Sequence, residues 1–177
     1  TEKGVEQASE VASKIVSSGL SFDVVYASPL QRAFKTAEVI AEATHSPAPI
    51  AEPLLIERDF GVMTGKPTAS IAEVCAPDII KTDTITYFLN PEGAETFPDL
   101  IARANVLLAK IKAAHTEGSV LCVTHGDMGK MIYAAYYELP WQNVLTQFHF
   151  GNAELLLLSQ GSPASEAHVF EIAQHNH

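Results

Sequence analysis

The apolar run Ser119-Val120-Leu121-Cys122-Val123 leads directly into Thr124-His125-Gly126 and then a helical stretch from Asp127 to Glu138, and no other segment constrains this chain as much. A strand that passes into a helix across one glycine commits the chain to a βα unit. The strand's carboxyl end, where open α/β sheets place ligands, then lies beside the helix amino end. His125 sits at that junction, and Gly126 after it leaves no side chain in the way of close approach. The exposed N–H groups of a helix start attract anions. The pattern points to phosphate chemistry, yet no good nucleophile accompanies His125.

The rest of the chain extends this unit. Val5, Ala8, Val11, Ala12, Ile15 and Val16 recur at helical spacing and predict a helix from Thr1 to Ser18, with Thr1 as cap and Gly19 as stop. A β-prone run follows at Phe22–Tyr26. Pro29 then opens a second helix to about Ala43, with Leu30, Ala33, Phe34, Ala37 and Ile40 inward. Ile50–Ile56 is a strand candidate interrupted by Pro53, and Glu57 to Glu95 is rich in Gly, Pro, Thr and Asp, with a short helix at Ala69–Val74. Irregular segments of that length are often lids or binding loops. Glu95 to His115 reads as a long helix. Strands are expected at Val144–Phe150, Ala153–Leu158 and His168–Ile172, with a hairpin signal at Gly151-Asn152 and burial on both sides for Leu155–Leu158. Alternating helix and strand predicts an α/β fold: a three-layer α/β/α sandwich with a mostly parallel central sheet. With no repeat or linker, 177 residues are read as one domain over residues 1–177.

Charge narrows the partners. The formal net charge of −10 argues against nucleic acid or an anionic membrane surface, both of which need a basic stripe. A small phosphorylated substrate remains compatible, because a pocket can be positive on an acidic protein. No apolar run reaches membrane-spanning length, and Cys75 and Cys122 have no partners at ligand spacing, so two buried thiols and a cytoplasmic location are expected. The histidines show no metal-ligand spacing, so no metal is expected, and no cofactor.

Three segments offer chemistry. Ser28-Pro29-Leu30-Gln31-Arg32 places Ser28 at a strand end and Arg32 in a helix's first turn, where its guanidinium fork suits two phosphate oxygens. A solvated surface arginine has the same pattern. Ser28 lacks the Gly-x-Ser-x-Gly frame of a hydrolase elbow and is not taken as a nucleophile. Glu57-Arg58-Asp59 follows a strand candidate; a shielded carboxyl there would protonate a leaving oxygen, although an ordinary turn with paired charges is the plainer reading of these residues alone. The acids of Pro91-Glu92-Gly93-Ala94-Glu95 are read as serving the dipole of the following helix. His125 alone is also compatible with a histidine packed at a strand end.

Together these pieces resemble the histidine phosphatase superfamily, the group that includes cofactor-dependent phosphoglycerate mutases. The similar segments are Thr1-Glu2-Lys3-Gly4, Ser28-Pro29-Leu30-Gln31-Arg32-Ala33 with Thr36-Ala37, Leu55-Ile56-Glu57-Arg58-Asp59-Phe60-Gly61, Gly65-Lys66, Pro91 to Glu95, and Val123-Thr124-His125-Gly126, all in the family's order. The resemblance implies a phosphate pocket at the sheet's carboxyl edge and a phosphohistidine intermediate formed without metal. It makes Arg32 a phosphate arginine, Glu57 the general acid and His125 the second histidine. Arg58, Gly126 and Ser28 complete the expected substrate-binding set. The family's nucleophile stands in an Arg-His-Gly motif on a strand before the first helix, and no Arg-His-Gly occurs in these residues. The expectation is a phosphatase whose nucleophile strand is absent from this chain, which as it stands does not turn over substrate. The alternatives are a phosphoglycerate mutase-type transferase, disfavoured by the short Glu57–Pro91 spacing, and a non-catalytic phosphate-binding module. A homodimer through the unfilled sheet is a further expectation.

Overall fold

In a computed structural model, the protein is described over residues 2–148, 150–164 and 168–170. The first half lays down α1 (Glu2–Ser17), β1 (Val24–Ala27), α2 (Gln31–Thr44), β2 (Ile50–Ala51), α3 (Ile71–Cys75) and the hairpin strands β3 (Ile79–Lys81) and β4 (Thr86–Phe88). The second half adds α4 (Phe97–Ala114), β5 (Val120–Val123), α5 (Gly126–Tyr136), α6 (Trp141–Gln147), β6 (Leu155–Leu156) and β7 (His168–Phe170).

The central sheet runs β2–β1–β5 and is parallel throughout, with Tyr26 opposite Cys122 and Ala27 opposite Val123. Strand alternation divides the interior in two. Val25, Ala27 and Leu121 face Val11, Ala12, Ile15, Ala37 and Ile40 of α1 and α2. Tyr26 and Cys122 face the opposite core, built on Phe97, Leu100, Ala104 and Leu107 of α4 and Met128, Met131 and Ile132 of α5. Successive strand residues point to opposite faces, so four-residue strands serve both cores. The result is the expected three-layer α/β/α architecture.

Helix α5 is buried from Met128 through Ala134, all round rather than on one stripe, as befits a helix enclosed by protein. Gly129 lets it lie close to its neighbours: a Cβ there would run into the Phe150 ring. That close approach explains a residue that otherwise costs a helix interior about 0.5–1 kcal/mol relative to alanine. Helix α4 starts with a capping box, Asp99 N–H donating to Thr96 Oγ1 and Thr96 N–H donating to the Asp99 carboxylate.

Several expectations need correction. The strand expected over Val144–Phe150 is helix as far as Gln147: Pro140 opens α6, which buries Val144 and Leu145, so among the described residues Gly151-Asn152 joins no hairpin. The apolar pattern there fits either period, and packing against α4 and α5 selects the helix. Leu155–Leu158 is not buried on both sides; Leu157 is 49% exposed, and β6 pairs antiparallel with β7 outside the central sheet. Ile50–Ile56 keeps only two strand residues, because Pro53 begins a 3-10 turn whose Leu54 N–H donates to Glu52. Leu30 is 36% exposed at the end of α2 rather than inward. The β3–β4 hairpin inside 57–95 is too short to stand out by pattern. Cys75 is buried and Cys122 half-buried, both as free thiols. The Thr1 cap, His149, the end of the last expected strand and the tail histidines lie outside the described residues.

Phe97 is fully buried, stacked on Trp141 at 5.3 Å, with the Arg58 guanidinium 4.1 Å over its ring centroid. Phe97→Ala is expected to cost about 3–5 kcal/mol in urea unfolding. A loss under about 1 kcal/mol would show that this cluster does not hold α4 to α5 and α6.

Candidate active site

The site forms where β1 and β5 end side by side. Ala27 and Val123 are paired, and the chains continue as Ser28 and Thr124, with the Ser28 N–H donating to the Val123 carbonyl at 2.9 Å. His125 caps α5 through its backbone, which leaves its side chain free to turn toward β1. The Arg32 Nε–H, from the first turn of α2, donates to His125 Nδ1 at 3.0 Å. A neutral ring that accepts at Nδ1 carries its proton on Nε2, which donates to Ser28 Oγ at 2.8 Å. Burial first, then the nearby Arg32 and Arg103 charges, push the His125 imidazole down to about 4. The ring is therefore neutral near pH 7.

Glu57 reaches the same place from the other side. Its Oε1 accepts the Arg58 N–H at 2.9 Å and the Met128 N–H at 3.2 Å, so its carboxyl covers the amino end of α5. Burial, reinforced by the neighbouring Asp127, raises its pKa above the usual carboxylate range despite those hydrogen bonds. A helix start and a desolvated pocket pull such a carboxyl in opposite directions, and desolvation prevails.

One cavity of about 740 Å³ brings Arg32, Glu57, Thr124, His125 and Gly126 together. A Cβ at Gly126 would meet no protein atom, so that approach is open. Two expected contacts are elsewhere. Ser28 is fully buried and does not line the cavity; it supports the His125 ring from behind. The Arg58 side chain is 1% exposed, and it donates to the carbonyls of Glu95, Phe88 and Leu89 at 2.6, 2.8 and 3.0 Å. Its guanidinium also stands 3.6 Å from Asp127, leaving no free edge for an incoming phosphate. No cluster of three or more His, Cys, Asp or Glu able to hold a metal occurs among the described residues.

The chain matches the family model of the histidine phosphatase superfamily (branch 1) over residues 1–170. It belongs to that superfamily. Among curated relatives it is 28% identical, over 149 residues, to a 2,3-bisphosphoglycerate-dependent phosphoglycerate mutase of Rhizobium etli, covering 82% of this chain and 71% of the relative. It is also 28% identical to phosphoserine phosphatase 1 of Hydrogenobacter thermophilus, covering 76% of this chain and 63% of the relative. The fold is similar to that of a mycobacterial glucosyl-3-phosphoglycerate phosphatase, with a TM-score of 0.66, 24% identity, and coverage of 87% of this chain and 74% of that one. A phosphoserine phosphatase mutant from Entamoeba histolytica, solved with phosphoserine, superposes with a TM-score of 0.63 at 22% identity, covering 87% and 74%.

Within this histidine phosphatase frame, two supporting residues escape a reading of the sequence alone. Arg103, on α4, donates to both Glu95 carboxylate oxygens, at 2.9 and 2.7 Å, and to the Leu54 and Ile56 carbonyls at 2.9 and 2.7 Å. It thus grips the backbone just before Glu57. Glu95, read above as a helix-dipole acid, is instead the partner that fixes Arg103. Asp127 is the second: it sits against Arg58, and burial raises its pKa. Only the helical pattern signals Arg103, as one arginine within an apolar repeat.

The lowered His125 value carries a pH signature. As pH falls below the ordinary histidine value of 6.5, the unfolded chain takes up the proton first. The stability contributed by the neutral ring is present above that value and is lost as pH falls toward about 4. Unfolding free energies of the wild type and His125→Gln, compared across this window, should converge as pH falls; a constant difference would show that the ring titrates normally.

Proposed function

We propose that this chain is the larger part of a phosphomonoesterase that works through a phosphohistidine, with a small phosphorylated compound as substrate. What carries the reading is the meeting of Arg32, His125, Glu57 and the amino end of α5 around one cavity. Phosphoryl transfer needs fixed positive and donating groups around the oxygens, plus a proton for the leaving group. Arg32, joined by His125 once its ring is protonated, supplies the former. A dianion between Arg32 and His125 offsets the burial and the cationic neighbours that keep the ring neutral, so both then donate to phosphoryl oxygens. Glu57, held protonated more readily than an exposed glutamate, supplies the proton.

The nucleophile is the remaining part. His125 is the one histidine lining the cavity among the described residues. In this proposal the attacking histidine comes on a strand that these 177 residues do not include, seated along β5. The side of β5 away from β1 carries no strand among the described residues. There the cavity runs on past Leu121 and Val123, between Ala8, Val11 and Ile15 of α1 and Leu155 of β6. That apolar extension fits a strand better than a phosphate, and a strand placed there would join β6 and β7 to the central sheet. The same unfilled edge is where two copies would pair as a dimer.

The mutase reading keeps one supporting observation, the phosphoglycerate mutases among the relatives. Product decides between the two: the hydrolase releases free phosphate, and the mutase returns it to another hydroxyl.

The 177-residue chain should bind orthophosphate without turning over an aryl phosphate. Arg32→Ala and His125→Ala should each weaken that binding roughly tenfold, as expected for a charged hydrogen bond. The gene product that includes the upstream strand should release phosphate from the aryl ester in excess EDTA. A requirement for a divalent ion, or unchanged phosphate affinity in both variants, would overturn the reading.

A further inference from the structure

Lys130 lies on the all-buried stretch of α5 and is 5% exposed. Lysine is almost never buried to that extent without a partner, because its ammonium loses hydration that only an anion or several acceptors can replace. Among the described residues Lys130 has neither in direct contact. No ion pair or hydrogen bond reaches its Nζ, which stands 5.1 Å over the Tyr87 ring centroid. The carboxylate one turn earlier, Asp127, attracts it through space but makes its ion pair with Arg58, at 3.6 Å. A single cation–π contact is a weak substitute for a lost hydration shell.

Lys130 and Tyr87 open onto a second cavity, about 260 Å³, that shares no lining residue with the larger one. Its walls are the Thr82–Ile85 turn of the β3–β4 hairpin and Leu145 to Phe148 at the end of α6. The Tyr87 hydroxyl also makes no hydrogen bond among the described residues, although Tyr87 is 7% exposed. Two donors thus border one hollow, whose walls carry Thr82, Thr84, Thr146 and Gln147 beside Ile85, Leu145 and Phe148. Asp83 is exposed at its rim and disfavours a second negative charge in the ligand.

We propose that this hollow is a binding site for a small monocarboxylic acid, its carboxylate against the Lys130 ammonium and the Tyr87 hydroxyl, and its short body against Ile85, Leu145 and Phe148. The proposal is independent of the phosphate site. Occupation ties the β3–β4 hairpin, which belongs to the segment between Glu57 and Glu95, to α5 and α6. The bound carboxylate supplies the direct, hydrogen-bonded counter-charge that Asp127, paired with Arg58, does not.

Residue-resolved NMR titration tests it, with acetate, propionate and benzoate as probes against inorganic phosphate at constant ionic strength. The expected result is saturable carboxylate shifts at residues 82–87, 128–132 and 144–148. Lys130→Met should weaken carboxylate binding roughly tenfold or more, and Tyr87→Phe, which keeps the ring, by a few-fold. Phosphate should shift Arg32 and His125 instead. Carboxylate shifts confined to Ser28, Arg32 and His125, no saturable shift in the wild type, or equal affinity in Lys130→Met would overturn the proposal. Should Lys130→Met not fold, the wild-type map and Tyr87→Phe decide: shifts at the hollow weakened by Tyr87→Phe sustain it, and their absence or insensitivity refutes it.

Discussion

Helix α5 steps from an exposed Gly126 to a fully buried Met128 within its first turn, and the N–H groups there must find partners away from bulk water. That requirement organises everything around it. Buried backbone donors left unpaired cost as much as a lost hydrogen bond. Here the Glu57 carboxyl takes the Met128 N–H, which fixes the acid beside the histidine that caps the same helix. Glu57 is in turn held by its backbone. Arg103 grips the carbonyls before it, and the Thr124 hydroxyl donates to the Leu55 carbonyl at 2.7 Å. Satisfying one helix end and positioning a proton donor are the same set of contacts.

The charges of the region divide by how they are compensated. Arg58 spends its donors on three carbonyls and lies between the Phe88 and Phe97 rings, so it braces the loop that follows Glu57. Arg103 is closed by the Glu95 carboxylate. Arg32 is exposed, holds only the His125 ring among the described residues, and remains available to an anion. A guanidinium's planar fork suits all of these roles. What separates a structural arginine from a phosphate-facing one is which acceptors have already claimed it.

His125 and Glu57 show one desolvated pocket acting on opposite charge types. Burial penalises whichever form is charged, so the imidazole loses affinity for its proton while the carboxyl gains it. The resting pocket thus disfavours charge on either group. It is prepared for a ligand that brings negative charge of its own, in keeping with a family of phosphatases and phosphomutases.

The sequence by itself determined the alternation of helix and strand, the long helix α4, and the junction that sets His125 at a sheet edge. Each of these is local: period, capping chemistry and turn residues act over a few positions. It also marked Arg32 and Glu57, because their motifs lie at element ends. Only the tertiary structure decided that Arg58 is buried and Arg103 grips the acid's loop, that Ser28 stands behind the imidazole, and that Val144 to Gln147 is helix. Those outcomes depend on which residues, tens of positions apart, exclude water from one another. Burial of that kind belongs to the packed assembly of α4, α5 and α6 and to no single segment.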